Sequence, residues 1–437
     1  MKLGYRPLLL IAAASVLLVA LASGRGEAAR VQTVAMVAPH ESDALRVPSL
    51  PASLTPAAGT PSATGPVTGA AEARLIEVYR LTGAGRTREA LQRAERLVQD
   101  YPNFQLAQLV YGDLLATHVK PVQDFGDVPP ALAGSNARTT LAELRHESEM
   151  RLKALRERPP AGTIPSQFLA LSPRNRHAIA IDASRSRLYL FENTPQQLKL
   201  VADFYISVGK SGVAKNVEGD ARTPLGVYFI ISNLDPKSLS DFYGAGALPI
   251  NYPNVLDAKR GKTGRGIWLH GTPPNQFSRA PQASDGCVVL SNPDLEFIIH
   301  TVEIRTTPVV ISPRLEWVAP HSVQAERKPF EHALDAWRDA KSRGDVDQLL
   351  RFYTPDFKSF DKTLAEWVPA LRSEVDKVRG KPIQLKDLSY LRWTDAADTM
   401  VVTFGEVADG SRSGPTKRQY WIREGGEWKI FFEGIIG

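Results

Sequence analysis

The chain has 437 residues, of which 43% are hydrophobic and 23% are charged, and its formal net charge is +6. This length allows roughly two to four domains, and the hydrophobic fraction excludes a chain that is disordered throughout. The basic residues are scattered along the chain rather than concentrated in one stretch. Because the sequence also contains no nucleic-acid-binding motif, we expect no nucleic-acid partner.

Residues 1–29 have the features of a signal peptide or an N-terminal membrane anchor. Lys2 and Arg6 precede an uncharged apolar run at 8–22, which ends in the small-residue spacing Ala-Leu-Ala that a signal peptidase recognises. The uncharged stretch is slightly shorter than the ~20 residues of a spanning helix, and both cleavage and retention remain open. Either outcome predicts export to the periplasm or cell envelope, with anchoring to the inner membrane if the segment is retained.

Two segments of different composition follow. Residues 30–70 are rich in Pro, Ala, Ser and Thr, which predicts a disordered linker. Residues 71–160 carry apolar residues at helical spacing, and a capping box at Thr140 and Glu143 predicts the start of the last helix. The stretch GRTREALQRAERLVQDYP resembles one tetratricopeptide helix pair. Such repeats normally need several copies, so a helical hairpin packed on its neighbour and a repeat that binds an envelope protein both remain open.

The remaining chain predicts two further folded regions. Residues 164–313 show strand alternation, with a hairpin around 182–186 and a helix capped at Asn292. Residues 314–327 are predicted to be a linker. Residues 328–437 place helices before strands, with a hairpin turn at Gly425 and Gly426, which favours an α+β layer. The predicted fold is multidomain: a mainly β domain, preceded by a small helical segment and followed by an α+β domain.

Cys287 is the single cysteine of the chain. It has no partner for an internal disulfide, so it is either an inert buried side chain or a reactive thiol. A cysteine nucleophile needs a base, donors for the oxyanion and access for substrate. His270 ends a predicted strand and meets Cys287 if the two strands are neighbours, and the N–H groups of Gly286 and Cys287 are candidate oxyanion donors. The segment between His270 and Cys287 is polar and Pro-rich, as expected for a loop that lines a cleft.

The segments GIWLHGT and ASDGCVVL resemble the His…Ser-x-Gly-Cys signature of the L,D-transpeptidase (YkuD-type) catalytic domain. GDARTPLGVY resembles the upstream Thr-Pro-x-Gly segment of the same family, so the resemblance covers about residues 164–313. It implies that Cys287 is the nucleophile, that His270 is its proton acceptor, and that the carbonyl of Gly271 orients the imidazole. It implies neither a metal nor another cofactor.

Some residues near the signature differ from the family pattern or are weaker candidates. Asp285 stands where the family often has His, and Val289 stands where it usually has Arg; both leave the chemistry possible and bear on the geometry of substrate binding. Ser284 and Asp285 are candidate substrate-binding residues beside the thiol. In the loop 251–266, Tyr252, Asn254 and Asp257 either line the cleft or form turns on a solvated surface loop.

The resemblance implies an enzyme that modifies peptidoglycan. Cys287 attacks the third residue of a tetrapeptide stem, the terminal D-Ala leaves, and a thioester remains. Transfer to an amine of a second stem gives a 3–3 crosslink, which is L,D-transpeptidase activity. Transfer to water gives a tripeptide, which is L,D-carboxypeptidase activity. The alternative of another class is a non-catalytic peptidoglycan-binding scaffold, which needs no titrating thiol.

The C-terminal region resembles the NTF2-like fold, whose helices and sheet form a cone. Its aromatic residues are either core or the lining of a pocket, and we expect a binding or positioning module. The order of an L,D-transpeptidase domain and an NTF2-like domain resembles a cell-shape-determining branch of the family that is known for tripeptide trimming. The predicted partners are therefore peptidoglycan stem peptides, with an envelope protein as a further candidate for the helical or NTF2-like region.

Overall fold

The computed structural model describes residues 66–122, 124–127 and 134–436. These residues form a helical segment, a central β domain and a C-terminal α+β domain, which confirms the predicted multidomain class. The predicted leader at 1–29 and the linker residues 30–65 lie outside the described residues. Within the described ranges, no helix is long and apolar enough to span a membrane.

The first part of the fold is helical. Its helices are α1 (Ala70–Gly83), α2 (Thr87–Asp100), α3 (Gln105–Ala116) and α4 (Ser135–Arg156). Their apolar faces meet in one core, in which Leu75, Val78 and Leu97 are almost fully buried. Helix α4 starts at Ser135, so Thr140 lies inside it and the predicted capping box does not form the helix start. The five residues before Thr140 adopt helical conformation, and an N-cap must lie outside it.

The central part of the fold consists of strands and two helices, and its first strand, β1, precedes α1 in the chain. They are β1 (Val67–Thr68), β2 (Ile164–Pro165), β3 (Phe168–Ala170), β4 (His177–Asp182), β5 (Arg187–Asn193), β6 (Leu198–Tyr205), β7 (Val208–Gly209), β8 (Gly226–Phe229), β9 (Ala247–Pro249), α5 (Val255–Lys259), β10 (Trp268–His270), β11 (Gln282–Ser284), β12 (Val288–Val289), α6 (Asn292–Thr301), β13 (Pro308–Ser312) and β14 (Trp317–Val318). The main sheet has the order β1-β6-β5-β4-β13-β8, and a smaller sheet has the order β12-β10-β9. The predicted hairpin is present as the antiparallel pair β4–β5.

Both faces of the β4–β5 hairpin are buried, because strand alternation sends its side chains to two different cores. Ile179 and Leu188 face the core of the central domain. Ala178, Tyr189 and Phe191 face the sheet of the C-terminal domain, where they join its apolar side chains in a second core. The two domains therefore share a continuous apolar interface.

Three predicted boundaries differ from the structure. The linker at 30–70 ends earlier, since β1 adds to the edge of β6 and α1 begins at Ala70. The linker at 314–327 is folded, because β14 pairs with β2 and the next helix begins at Ser322. Strand β3, placed by sequence in the central domain, pairs with the C-terminal sheet. Local sequence pattern does not record which sheet edge a short strand joins, so these pairings were not predictable.

The C-terminal domain has helices packed against one long, mostly antiparallel sheet, in which β15 pairs with β20 in parallel. Its elements are α7 (Ser322–Arg343), α8 (Val346–Leu350), β15 (Tyr353–Ser359), β16 (Lys362–Thr363), α9 (Leu364–Val378), β17 (Ile383–Thr394), β18 (Asp398–Ala408), β19 (Thr416–Glu424) and β20 (Glu427–Ile435). Gly425 and Gly426 form the β19–β20 turn with φ of 58° and 89°, a conformation that favours glycine. Trp337, Phe357 and Trp421 are buried in the domain core.

A network of buried charges lies between the helices and the sheet of this domain. The Lys341 ammonium contacts Glu406 at 2.7 Å and Glu374 at 3.0 Å. The Lys417 ammonium contacts Glu433 at 3.1 Å, Glu406 at 3.2 Å and also Glu374. Because two lysines compensate three carboxylates, removal of either one leaves the three carboxylates with a single cation.

We therefore expect Lys417→Met to lower the free energy of unfolding by about 3–5 kcal/mol, the usual cost of breaking a buried ion pair from one side. Urea denaturation followed by tryptophan fluorescence measures the change. Lys377→Met is the matched control, since Lys377 is an exposed lysine on α9. Equal unfolding midpoints for the two variants would show that the network contributes little to stability.

Candidate active site

Strand pairing brings His270 and Cys287 to one cleft. Strand β10 pairs in parallel with β12, with Leu269 opposite Val288 and His270 opposite Val289. Cys287 directly precedes β12, so it lies beside the start of β10, on which His270 is the last residue. Both side chains line a cleft of about 360 Å³. The strands that carry His270 and lead from Cys287 are therefore neighbours, as the prediction from the sequence required for the two side chains to meet.

The imidazole of His270 is held in one tautomer. Its Nδ1 lies 2.7 Å from the carbonyl oxygen of Gly271, which can only accept a hydrogen bond. Nδ1 therefore carries the proton, and Nε2 is left with a lone pair. Burial lowers the pKa of His270 to about 4, the charge of Arg279 acts in the same direction, and the Gly271 bond opposes both. His270 is thus neutral at pH 7, as a proton acceptor must be.

The backbone after His270 is fixed by Asn292 at the start of α6. The Asn292 Oδ1 accepts from the Ala245 N–H at 3.0 Å and the Thr272 N–H at 3.1 Å. A Cβ at Gly271 would lie 2.1 Å from this oxygen, so the close approach requires glycine. The N-cap of α6 was predicted at Asn292, but it is Ser291, whose hydroxyl accepts a hydrogen bond from the Asp294 N–H in the first turn. Asn292 is thereby available to hold the loop that orients His270.

The turn before Cys287 is held by Ser284. Its hydroxyl donates to the Cys287 carbonyl at 2.6 Å and accepts from the Gly286 N–H at 3.1 Å. Gly286 has a φ of 125°, and a Cβ there would lie 2.7 Å from the Arg222 carbonyl oxygen. Because the Gly286 N–H is already engaged, the candidate oxyanion donor in this turn is the Cys287 N–H. Ser284 shapes the turn and also lines the cleft.

Thr223 of the Thr-Pro-x-Gly segment supports the same turn from behind. Its hydroxyl donates to the Gly286 carbonyl at 2.9 Å and accepts from the Gly209 N–H at 2.9 Å. The side chain is fully buried, so these bonds are shielded from water. The upstream segment therefore acts on the site by fixing the backbone next to the thiol.

The Cys287 thiol is half-buried and protonated at rest. Its Sγ donates to the Gly266 carbonyl oxygen at 3.5 Å. Burial raises the pKa of the Cys287 thiol, a backbone bond from Trp268 and the charge of Arg279 oppose this rise, and Asp285 adds to it. The Asp285 carboxylate itself is exposed at the cleft mouth and pairs with Lys210 at 2.7 Å. The site therefore holds a neutral thiol next to a neutral imidazole.

Three cleft residues were not identified from the sequence. Phe242 and Tyr243 flank the His270 ring, with ring centroids at 5.8 and 5.1 Å. The Arg279 guanidinium lies 4.5 Å from the centroid of Phe242 and lines the same cleft. The polar, Pro-rich composition of the loop predicted a cleft wall there, but it did not distinguish Arg279 from its neighbours.

The candidates of the loop 251–266 lie in the framework of that loop and not among the residues that line the cleft. Tyr252 donates to the Thr263 carbonyl at 3.0 Å. Asn254 caps α5 through the Asp257 N–H, and Asp257 accepts from the Tyr228 hydroxyl at 3.0 Å. All three are buried, and their polar atoms are satisfied inside the protein. This corrects the cleft interpretation, because turn-forming residues and substrate-binding residues have the same polar composition.

No group of three or more His, Cys, Asp or Glu side chains is arranged to hold a metal ion in the part of the chain that the structure describes.

Family models match both the central β domain and the C-terminal α+β domain. Residues 176–311 match the family model of the L,D-transpeptidase catalytic domain (YkuD), and residues 330–434 match that of the Cds6 C-terminal NTF2-like domain. A search of curated proteins found no significant match.

Solved structures resemble the chain at low sequence identity. Bd1075 of Bdellovibrio bacteriovorus aligns with a TM-score of 0.53 and 24% identity over 63% of this chain and 98% of its own. The helical cell shape determining protein Pgp2 of Campylobacter jejuni aligns with a TM-score of 0.48 and 22% identity over 67% and 98%. An L,D-transpeptidase of Mycobacterium smegmatis aligns with a TM-score of 0.20 and 13% identity over 31% and 58%.

The cleft with His270 and Cys287 therefore belongs to an L,D-transpeptidase catalytic domain of the YkuD type. The α+β domain that follows it is an NTF2-like domain.

The neutral thiol has a measurable consequence. Alkylation by iodoacetamide requires the thiolate. We expect Cys287 to react at pH 7 more slowly than a free cysteine. The pH at which its rate is half-maximal should lie above the ordinary cysteine pKa of about 8.5. Burial raises the pKa, so the thiolate forms at higher pH. The label reports one site because the chain has a single cysteine. The urea-unfolded protein is the control, and a rate plateau below pH 7 would instead indicate a preformed ion pair.

Proposed function

We propose that this chain is a peptidoglycan-modifying cysteine L,D-transpeptidase that works in the periplasm or cell envelope. The observation that carries the proposal is the pairing of β10 with β12, which places His270 and Cys287 in one cleft of an L,D-transpeptidase catalytic domain. The signal-like sequence at 1–29 supports export.

The first half of the proposed reaction forms a thioester. The Cys287 side chain rotates away from the Gly266 carbonyl and passes its proton to Nε2 of His270. The sulfur attacks the carbonyl carbon of the third residue in a stem tetrapeptide, and the Cys287 N–H donates to the developing oxyanion. The C–N bond to the terminal D-Ala breaks as the imidazolium returns its proton to the leaving amine.

The second half transfers the acyl group. An amine of a second stem attacks the thioester, His270 takes its proton, and the Cys287 thiol is regenerated with a 3–3 crosslink as product. Water can attack the same carbonyl, and the product is then a tripeptide. The match of residues 330–434 to an NTF2-like domain supports water as the second candidate acceptor, because that domain order resembles the tripeptide-trimming branch.

The direct test uses purified tetrapeptide muropeptides and mass spectrometry. We expect product formation with release of D-Ala, and we expect it to be lost in Cys287→Ala. Dimers that lack one D-Ala would identify an amine acceptor, and tripeptide would identify water. His270→Ala should lower the rate by roughly 10²–10⁴-fold, the usual contribution of a general base.

His300→Ala is the matched control, because His300 is an exposed histidine on α6. It should retain the wild-type rate. Full activity of Cys287→Ala would contradict the cysteine mechanism. No product with the wild-type protein would contradict the enzyme proposal and favour a peptidoglycan-binding scaffold.

The low pKa of His270 predicts an unusual acid limit. The imidazole accepts a proton only in its neutral form, and burial keeps it neutral down to a pKa of about 4. The value of kcat/KM should therefore fall with a midpoint at about 4 as the pH decreases, rather than at the 6.5 of an ordinary histidine. A pH profile, with circular dichroism at each pH to verify folding, measures this midpoint. A midpoint of 6.5 would show that His270 is not desolvated in the working enzyme.

A further inference from the structure

The loop that runs from Gly271 to Pro281 along the cleft is held by the helical segment. Phe277 is only 6% exposed and belongs to the apolar core of α1–α4. Its ring stacks on Phe104 at a centroid distance of 4.3 Å and meets Tyr101 edge-on at 5.4 Å. The loop is thus inserted into the core of the preceding segment.

Hydrogen bonds fix the loop on both sides of Phe277. The Phe277 N–H donates to the Asn103 carbonyl at 3.1 Å, and the Asn103 amide donates to the Pro274 carbonyl at 3.0 Å. The Ser278 hydroxyl donates to the Glu147 carboxylate of α4 at 2.8 Å. These bonds determine the direction in which the backbone leaves Phe277, two residues before Arg279.

A chain of buried ion pairs ties the helical segment to the central sheet. Arg151 contacts Glu147 at 2.7 Å and Glu72 at 3.2 Å, and Glu72 contacts Arg187 of β5 at 2.7 Å. Arg151 also lies 3.9 Å from the ring centroid of Tyr205. Buried ion pairs therefore connect the helices and the sheet in one frame behind the loop.

Arg279 is the residue that this frame places in the cleft. Its carbonyl accepts from the Tyr205 hydroxyl at 2.8 Å, which fixes its backbone. Its guanidinium lies over the Phe242 ring and faces the cleft that holds Cys287. Within residues 66–122, 124–127 and 134–436, no carboxylate lies within 4.0 Å of the guanidinium. The guanidinium is therefore available to an anionic group in the cleft.

The substrate supplies such a group. A tetrapeptide stem has a carboxylate at its terminal D-Ala, and a diamino acid at its third residue can carry another. Arginine binds carboxylates through two parallel hydrogen bonds, which lysine cannot reproduce. Val289, next to the thiol, is buried in a strand and offers no charge to the cleft.

We propose that Arg279 binds a carboxylate of the stem peptide and that the helical segment positions it through Phe277. The proposal rests on the proposed function for the identity of the substrate. In this proposal the helical segment contributes to substrate binding, because its apolar core holds Phe277 of the cleft loop.

The test of Arg279 measures binding without turnover. Full-length Cys287→Ala protein is titrated calorimetrically with three peptides: the tetrapeptide stem, the stem with a carboxamide at the terminal D-Ala, and the stem with a carboxamide on the diamino acid. Arg279→Gln should weaken binding of the unmodified stem about ten- to hundredfold, as expected for a charged hydrogen-bonded pair. Amidation of the recognised carboxylate should weaken binding to the protein that retains Arg279 by the same factor. It should not weaken binding to the Arg279→Gln protein any further.

The two amidated peptides distinguish which carboxylate is bound. Arg279→Lys should recover only part of the lost affinity, because the charge remains but the planar fork is absent. The proposal would be overturned if the affinity loss from Arg279→Gln and the affinity loss from each amidation were independent, so that the combined loss equalled their product. Independent losses would show that Arg279 and the carboxylate do not interact.

The test of Phe277 measures kinetics in the otherwise unchanged enzyme. Phe277→Ala should raise KM about tenfold or more for the unmodified stem, because the substitution displaces Arg279. It should have much less effect on KM for the stem that is amidated at the carboxylate bound by Arg279. Phe277→Leu should restore part of the change by refilling the core. Phe360→Ala is the matched control, since Phe360 is 63% exposed in the C-terminal domain.

Failure of this inference can be distinguished from failure of the proposed function. If wild-type protein gives Cys287-dependent product but Arg279→Gln discriminates the peptides as wild type does, the inference is wrong and the function stands. If no product forms while the amidation effect depends on Arg279, the carboxylate site stands and the catalytic proposal fails. Thermal unfolding identifies any variant that is merely unfolded, and a folded Phe277→Ala variant with wild-type KM for both peptides overturns the positioning role.

Discussion

The parallel pairing of β10 with β12 is the constraint on which the candidate site depends. It sets His270 opposite Val289 and so puts the thiol of Cys287 and the imidazole in the same cleft. Two short strands cannot maintain this register alone. Thr223 fixes the turn before the thiol, and Asn292 fixes the loop after the histidine. Both contacts depend on glycines, because side chains at these points would collide with neighbouring atoms.

Electrostatics in the cleft favour an uncharged pair at rest. Burial lowers the pKa of His270 and raises that of Cys287, so both shifts have one cause. In the proposed reaction, the pair becomes charged only when the thiol proton moves to the imidazole during attack. At that moment Arg279 and the Trp268 backbone favour the thiolate, whereas Asp285 opposes it and is partly neutralised by Lys210. This arrangement suits a thiol that reacts with a positioned substrate.

The domains are joined by more than their linkers. Strand β3 lies in the C-terminal sheet although the chain around it belongs to the central domain. The outer face of the β4–β5 hairpin forms a common core with that sheet. The helical segment contributes its own core to Phe277 and buried ion pairs to the sheet. The central domain is therefore packed against both neighbouring regions.

The sequence by itself determined the multidomain order, the periodicity of the long helices and strands, and the residues of the Cys-His signature, because each is recorded in local pattern. It also predicted the glycine turn at Gly425. Only the tertiary structure decided that Tyr252 and Asn254 stay outside the cleft, that β14 and β3 pair across the predicted boundaries, and that Arg279 enters the site. Those outcomes depend on contacts between residues far apart in the chain, which composition and spacing do not encode.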